Sequence, residues 1–149
     1  MNDPLVRLCG YLLQRAASSA LAELNLRLAP LGLRHAGVAL LMLIEARPGI
    51  TQSQAGRTLD IQRANMVPFG ARLEGLGVIR RRQVDGRSQA LELTSRGRLL
   101  LERARRVVAV HEAELLERVP EKLRPMVMPV LTALWQGETA AAAAQAGGR

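Results

Sequence analysis

The chain has 149 residues, of which 48% are apolar and only 2% aromatic, and this fits one compact domain with an aliphatic core. Its single cysteine excludes an internal disulfide framework and fits a reducing, cytoplasmic compartment. No apolar run reaches the roughly 18 residues of a membrane span. The segment from Met1 to Val6 lacks the basic run of a signal peptide, so we expect no membrane partner.

The net charge of +8 is concentrated in the middle of the chain. Ten arginines and four acids lie between Arg47 and Arg98, so this stretch carries +6 of the total. Lys122 is the only lysine, a bias that a GC-rich genome would also produce, but genome composition does not explain where the charge lies. A basic middle between nearly neutral ends indicates that the middle binds an anionic partner.

Two helices are predicted before the basic stretch. Apolar residues recur at helical spacing from Leu5 to Leu28, and Pro30 and Gly32 end this helix. The apolar positions of the first helix are Leu5, Leu8, Leu12, Ala16, Leu24 and Leu28. The second helix, from about Arg34 to Ala46, is apolar nearly all round, which predicts that it is buried.

The next two predicted helices are short and closely spaced. Thr51 is a good N-cap, and Gln54 three residues later completes a capping box. After a tight connection a further helix runs from about Gln62 to Leu76, and Gly75 and Gly77 end it. Its predicted inward side is formed by Ala64, Met66, Phe69, Gly70 and Leu73. Two short helices joined by a tight turn on a basic stretch are typical of a helix-turn-helix unit.

Two strand-like segments follow the second of these helices. Residues 78–84 and 88–93 have strand character, and Asp85-Gly86-Arg87 lies between them. An Asp-Gly pair at this position is a hairpin signal. The sequence therefore predicts a small β-wing directly after the helix-turn-helix unit.

The C-terminal part is predicted to be helical again. A long helix runs from about Ser95 to Arg118, with an apolar face formed by Leu99, Leu100, Ala104, Val107, Val108 and Leu115. A last helix runs from about Glu121 to Trp135, and Pro125 and Pro129 interrupt it. The tail 137–149 is rich in alanine and glycine without a periodic apolar face, and we expect it to be disordered or a frayed helix.

Several short motifs stand in a fixed order along the chain. They are PGITQSQA from Pro48, RAN from Arg63, RLEGLGVIRR from Arg72, DGRS from Asp85, LELT from Leu91, and Gly97. In this order and spacing they resemble the MarR family of winged helix-turn-helix transcriptional regulators over about residues 5 to 136. The resemblance implies a homodimer formed through the N- and C-terminal helices, with two DNA-binding lobes.

The resemblance also implies that the helix from Gln62 to Leu76 enters a major groove. Its outward polar residues Gln62, Arg63, Asn65 and Arg72 can pair with base edges or phosphates. Val67 and Pro68 depart from the polar or basic residues usual in the family. They could contact thymine methyl groups or simply lower the affinity, so the operator sequence does not follow from other members.

The further candidate DNA-binding residues are Gln52 and Ser53, Arg80 and Arg82, and Asp85 and Arg87. The first pair lies at a helix N-terminus, where backbone N–H groups bind phosphate. The second pair lies on one face of a strand, which could equally be a solvated surface. In the third pair the arginine is similar to the minor-groove arginine of the family, and the aspartate orients it.

Four residues of the helical segments are candidates for sensing a signal. Cys9 resembles the cysteine of the peroxide-sensing branch of the family, but a lone cysteine on an apolar face more often belongs to a core, which we favour. Tyr11, Arg15 and His35 are candidates for binding a small-molecule effector. Because His35 and His111 lie on different helices and are too few for a metal site, we expect no metal and no cofactor.

Together these observations predict a mainly α fold with a small β-wing, with dimerisation helices at 1–32 and 95–136 around a winged helix-turn-helix lobe at 33–94. The predicted function is a ligand-responsive repressor that binds a palindromic operator in double-stranded DNA as a cytoplasmic, nucleoid-associated homodimer. The absence of a phosphate loop or a hydrolase motif argues against an enzyme. The alternatives are a winged-helix protein-interaction module without DNA binding, or a redox sensor based on Cys9.

Overall fold

The computed structural model describes residues 3–84 and 89–146, with side chains described as far as Gly137. The chain divides into two compact units, Met1–His111 and Glu112–Arg149. Six α-helices and a two-stranded antiparallel sheet lie within these ranges, which confirms the mainly α fold with a small β-wing. The division into dimerisation helices and a DNA-binding lobe stays a prediction.

The helices are α1 (Cys9–Leu28), α2 (His35–Ala46), α3 (Gln52–Thr58), α4 (Arg63–Gly75), α5 (Ser95–Glu117) and α6 (Arg124–Ala146). Short 3₁₀ helices precede α1 (Pro4–Arg7), follow it (Ala29–Leu31) and precede α6 (Glu121–Leu123). The strands are β1 (Ile79–Gln83) and β2 (Gln89–Leu93). Of the helices described, none alone is long and apolar enough to cross a bilayer. Cys9–Leu31 and His35–Ala46 meet that test only as a pair bent by 74°.

Helix α2 lies at the centre of the first unit. Val38, Leu40, Leu41 and Ile44 are at most 3% exposed, as the all-round apolar sequence predicted. The core around them takes side chains from α1, α3, α4, α5 and both strands. Burying an aliphatic side chain of this size stabilises the fold by about 1.5–3 kcal/mol.

Helix α1 is buried only near its C-terminal end. Leu24 and Leu28 belong to the core, whereas Leu5, Leu8 and Leu12 are 43–55% exposed in the single chain. Ala16 is exposed as well. The N-terminal half of the predicted apolar face is therefore uncovered in one copy of the chain.

The start of α5 packs on the start of β1 without space for a side chain. Thr94 Oγ1 accepts a hydrogen bond from the Gly97 N–H at 2.9 Å and donates one to the Gly77 carbonyl oxygen at 2.7 Å. A Cβ on Gly97 would lie 1.9 Å from the Val78 carbonyl oxygen. Only glycine fits here, and the contact fixes the position of α5 relative to the wing.

In the wing, β2 makes backbone contacts on both of its sides, whereas the predicted hairpin has them on one side only. β1 and β2 pair antiparallel, with Ile79 opposite Leu93 and Gln83 opposite Gln89. On the other side of β2 the Leu91 N–H donates to the Ile50 carbonyl oxygen at 2.8 Å, and Thr51 forms an isolated bridge with Ala90. The segment before α3 therefore makes one isolated bridge to β2, a contact that the sequence analysis missed.

In the second unit, the last helix is longer and less interrupted than the sequence predicted. Pro125 lies in the first turn of α6, where its missing N–H costs no helical hydrogen bond, and the helix continues across Pro129. Of the two states expected for the tail, the helical one agrees with the structure as far as Ala146, because α6 runs to that residue. Alanine, which dominates this end of the helix, has the highest intrinsic helix propensity of any residue type. Residues 147–149 lie outside the described residues.

Candidate nucleic-acid interface

A capping box sets the start of α3, as predicted. The Thr51 hydroxyl accepts from the Gln54 N–H at 3.3 Å, and Gln54 Oε1 accepts from the Thr51 N–H at 2.9 Å. Ser53, between the two residues of the capping box, is exposed in the first turn of α3. Backbone N–H groups of such a first turn are suitable partners for a phosphate.

Helix α4 presents one buried side and one exposed side. Met66, Gly70 and Leu73 are buried, whereas Ala64, predicted to face inward, is exposed. Ala64 lies in the first turn of α4, two residues before Met66, the first side chain of the helix that is buried. The residues predicted to face the DNA are all exposed: Gln62, Arg63, Asn65, Val67, Pro68 and Arg72.

The end of α4 is fixed by a glycine in the left-handed conformation. Gly77 has φ of 70°, and the Val78 N–H donates to the Leu73 carbonyl oxygen at 3.3 Å. This pattern is the Schellman motif that commonly ends helices.

Helix α4 also continues without a break across Pro68. The exposed side is therefore one continuous face along a helix of 13 residues.

Two wing arginines share one carboxylate. Glu92 stands opposite Arg80 in the sheet, and its Oε2 lies 3.0 Å from Arg80 Nη2. Glu92 Oε1 pairs with Arg82 Nε. Hydrogen bonds from the two arginines lower the pKa of the Glu92 carboxyl, and the bond from Arg82 has the larger effect. The arginine side chains remain 67% and 57% exposed, so they can still reach a phosphate, but Glu92 offsets part of their charge.

Arg81 points to the opposite face of the sheet, as strand alternation predicts. Its Nε lies 3.2 Å from Glu74 Oε2, and the side chain is only 26% exposed. A Cβ on Gly70 would lie 3.7 Å from Arg81 Nη2 and 3.3 Å from Gln52 Oε1. Arg81 and Gln52 therefore pack on α4. The Gln52 side chain therefore faces α4, and its role in binding phosphate stays a prediction.

Arg57, which was not among the predicted DNA-binding residues, lies beside two that were, Ser53 and Arg63. Arg57 and Arg63 line one cleft of about 300 Å³ between α3 and α4, together with Ser53. Arg57 also lines a second cleft with Arg47. Arg57 stands four residues after Ser53, so helical spacing could have placed both on one face of α3.

Asp85 and Arg87, predicted to lie at the turn of the wing, are outside the described residues. Their roles as a minor-groove arginine and its orienting aspartate stay predictions. The end of β1 and the start of β2 are described, with Gln83 opposite Gln89.

The predicted effector residues line none of the clefts that the described residues form beside α3, α4 and the wing. His35 begins α2, where Asn25 Oδ1 accepts from its backbone N–H at 2.8 Å and lies 3.0 Å from its Nδ1. Tyr11 is half-buried and Arg15 is exposed on α1. His35 thus joins α1 to α2, a structural role that leaves its part in effector binding untested.

Cys9 and His111 lie in opposite environments. Cys9 is a free, exposed thiol at the start of α1, so its predicted core position is wrong for the single chain. It lies in the N-terminal half of α1, whose apolar face is uncovered. His111 is 2% exposed, and its Nδ1 lacks a hydrogen-bond partner among the described residues. Within residues 3–84 and 89–146 no three His, Cys, Asp or Glu side chains are grouped as metal ligands.

No model of a known protein family matches the chain. The chain is similar to the HTH-type transcriptional repressor Rv2887 of Mycobacterium tuberculosis, with 32% identity over 112 residues that cover 74% of this chain and 81% of the relative. It also resembles the transcriptional repressor CouR bound to a 23-mer DNA duplex, with a TM-score of 0.82, 35% identity, and coverage of 87% of this chain and 94% of that chain.

Ligand-bound structures are similar as well. CouR bound to p-coumaroyl-CoA gives a TM-score of 0.82 at 34% identity and covers 90% of this chain and 96% of that chain. The MarR family protein Rv2887 of Mycobacterium tuberculosis in complex with salicylic acid gives 0.69 at 29% identity, with coverage of 85% and 96%. The chain has a helix-turn-helix and a wing, and it is similar in sequence and structure to these relatives. It therefore belongs to the MarR family of winged helix-turn-helix transcriptional regulators.

Proposed function

We propose that the chain is a ligand-responsive transcriptional repressor that binds a palindromic operator in double-stranded DNA. The observation that carries this proposal is the exposed face of α4, whose opposite side is held in the core. Arg63 and Asn65 project from the first turn of that face, where side chains can reach base edges in a major groove. The complex of CouR with a DNA duplex supports the same partner for this chain.

A small-molecule effector and a homodimer complete the proposal. The CouR and Rv2887 structures contain p-coumaroyl-CoA and salicylic acid, which supports an organic acid or its thioester as the class of effector. The exposed apolar half of α1 supports a second copy of the chain as its partner. Two recognition helices about 34–36 Å apart would then fit successive major grooves. We expect a cytoplasmic, nucleoid-associated protein without catalytic activity.

Binding to random-sequence duplex at two salt concentrations tests the proposal. We expect affinity to fall steeply with salt, because phosphate contacts release counterions. Arg63→Ala should weaken binding to a selected operator by about 1–3 kcal/mol, as loss of a base or phosphate contact does. Arg103→Ala, on α5, is the matched control and should bind normally. Salt-independent or absent DNA binding would instead favour the protein-interaction module.

The wing gives a separate prediction from the sequence. Arg87→Ala should weaken operator binding by about 1–3 kcal/mol and make the salt dependence shallower, while the fold is unchanged. Asp85→Ala should also weaken binding, because it removes the residue that orients Arg87, although simple electrostatics predicts tighter binding. Fluorescence anisotropy with a labelled operator measures both. Tighter binding by Asp85→Ala together with normal binding by Arg87→Ala would contradict the proposed role of the wing.

The exposure of Cys9 keeps a redox sensor as the second candidate function. A reactive thiolate usually needs a neighbouring cation or a similar stabilising group. No ion pair or hydrogen bond to Cys9 is found in the described residues, so we expect Cys9→Ser to leave DNA binding and its response to peroxide unchanged. Operator binding with and without peroxide checks this. Peroxide-driven release by the wild type that Cys9→Ser abolishes would establish the sensor.

A further inference from the structure

A stripe of small apolar side chains runs along the exposed side of α4. This apolar stripe is formed by Ala64, Val67, Pro68 and Ala71. All four residues are exposed, and they stand three or four residues apart, so helical geometry places them in one line. At about 3.6 residues per turn the stripe spans about 100° of the helix surface, roughly opposite the buried side chains of Met66 and Leu73. The apolar stripe is therefore the middle of the exposed face.

Polar residues border the apolar stripe on both sides. Arg63 lies one turn before Val67 on one side. Arg72 lies one turn after Pro68 on the other side, where Asn65 also projects. The sequence has no acidic residue between Arg63 and Arg72. An apolar strip between two cations is complementary to a major groove, where base edges lie between two rows of phosphates.

Val67 connects the apolar stripe to the polar groups of α3. It is 50% exposed and lines the cleft of about 300 Å³ that Ser53, Arg57 and Arg63 also line. In a helix-turn-helix protein the second helix enters the groove while the first crosses the backbone. The apolar stripe therefore faces the base edges when Ser53 and Arg57 lie against the phosphates.

The chemistry of the apolar stripe limits what it can recognise. Alanine, valine and proline side chains have no hydrogen-bond donor or acceptor, so they cannot pair with the nitrogen and oxygen atoms of the bases. The apolar group that the four standard bases present in a major groove is the C5-methyl group of thymine. Covering alanine or proline costs no rotamer entropy, and such short side chains let the helix approach the bases closely.

From this arrangement we infer that the apolar stripe determines the specificity of α4 by contacting thymine methyl groups in the operator. Val67 and Pro68, its largest members, cover the methyl groups, while Ala64 and Ala71 keep the helix close to the base edges. The arginines beside the stripe hold the helix on the phosphates. This inference deepens the proposed function and rests on it. Of the two roles open to Val67 and Pro68, it assigns recognition rather than a simple loss of affinity.

Replacement of thymine by deoxyuridine in the operator tests the inference. Deoxyuridine keeps every hydrogen-bonding group of thymidine and lacks only the C5-methyl group. An operator is first selected from random-sequence duplex with the full chain, and each of its thymines is then replaced in turn. We expect at least one thymine in each half-site whose replacement weakens binding about fourfold, as exposure of one methyl group predicts. Replacing the symmetric pair in both half-sites should weaken binding about 16-fold.

The variant Val67→Ser/Pro68→Ser shows whether the apolar stripe causes this discrimination. Serine has about the helix propensity of valine and restores the backbone N–H that proline lacks, so the helix should be retained. The variant should bind the thymine operator more weakly than the wild type does. Its penalty for deoxyuridine at the sensitive thymine should fall from about fourfold to less than about twofold, because the contacting partner has been removed.

The variant Pro129→Ser/Val130→Ser is the matched control. It makes the same two changes within α6, where both residues are exposed and Val130 is 49% exposed. Whatever its overall affinity, this variant should keep the full fourfold penalty for deoxyuridine. Fluorescence anisotropy with labelled operators measures every affinity at one salt concentration.

Two results would overturn the inference and leave the proposed function intact. One is specific, salt-dependent operator binding that no deoxyuridine replacement weakens. The other is a deoxyuridine penalty that Val67→Ser/Pro68→Ser leaves unchanged. A wild type that binds no duplex DNA would instead overturn the proposed function, and the inference with it.

Discussion

Gly97→Ala should lower the free energy of unfolding by about 3 kcal/mol or more, in the range of severe overpacking. The new Cβ would lie 1.9 Å from the Val78 carbonyl oxygen and 2.9 Å from its carbon. That carbonyl cannot move away freely, because it accepts from the Thr94 N–H at 3.1 Å, and Thr94 also binds the Gly77 carbonyl oxygen. Relief of the clash therefore requires α5 to separate from β1.

Urea unfolding followed by circular dichroism measures this loss, and Gly75→Ala is its control. Gly75 is the last residue of α4, and a Cβ there meets nothing within 4 Å. Alanine at such a position stabilises a helix by up to about 1 kcal/mol relative to glycine. A Gly97→Ala variant whose free energy of unfolding stays within about 1 kcal/mol of the wild type would show that the joint between α5 and β1 is looser than the structure indicates.

The elements that the sequence predicted well are those with a local signal. The capping box of Thr51 and Gln54 requires residues three apart, and the structure contains both of its hydrogen bonds. The end of α4 at Gly77 depends on one residue that tolerates a positive φ. Helix spacing alone separated the buried and exposed sides of α4, except in its first turn at Ala64.

The features that the sequence analysis missed depend on contacts between distant parts of the chain. Ile50 and Leu91 are joined by a backbone hydrogen bond, and no local pattern marks the segment before α3 as a partner of β2. The pairing of Glu92 with Arg80 and Arg82 depends on the register of the hairpin, which strand-like composition alone does not determine. The apolar residues of α1 recur at helical spacing, as predicted, but spacing does not show which of them are buried within one chain. Leu24 and Leu28 are buried, whereas Leu8 and Leu12 are exposed.

This uncovered part of α1 leads to the prediction with the largest expected effect on DNA binding. Leu8 and Leu12 are 55% and 48% exposed, and they lie four residues apart on one side of the helix start. The double variant Leu8→Glu/Leu12→Glu should be monomeric at micromolar concentration, because a dimer interface would have to bury two charges without partners. Light scattering measures the mass, and circular dichroism checks that the helices are retained.

The same variant should lose roughly 10²- to 10⁴-fold in operator affinity, since two half-site contacts are no longer linked in one molecule. Gln14→Glu/Ala17→Glu is the matched control. It adds the same charge at exposed positions of α1 that helical geometry places on the other side from Leu8 and Leu12. We expect this control to stay dimeric, with only the modest loss of affinity that two added negative charges cause near an anionic ligand. A Leu8→Glu/Leu12→Glu variant that remains a dimer, or a wild type that is already monomeric, would place the interface elsewhere and contradict the proposed role of α1.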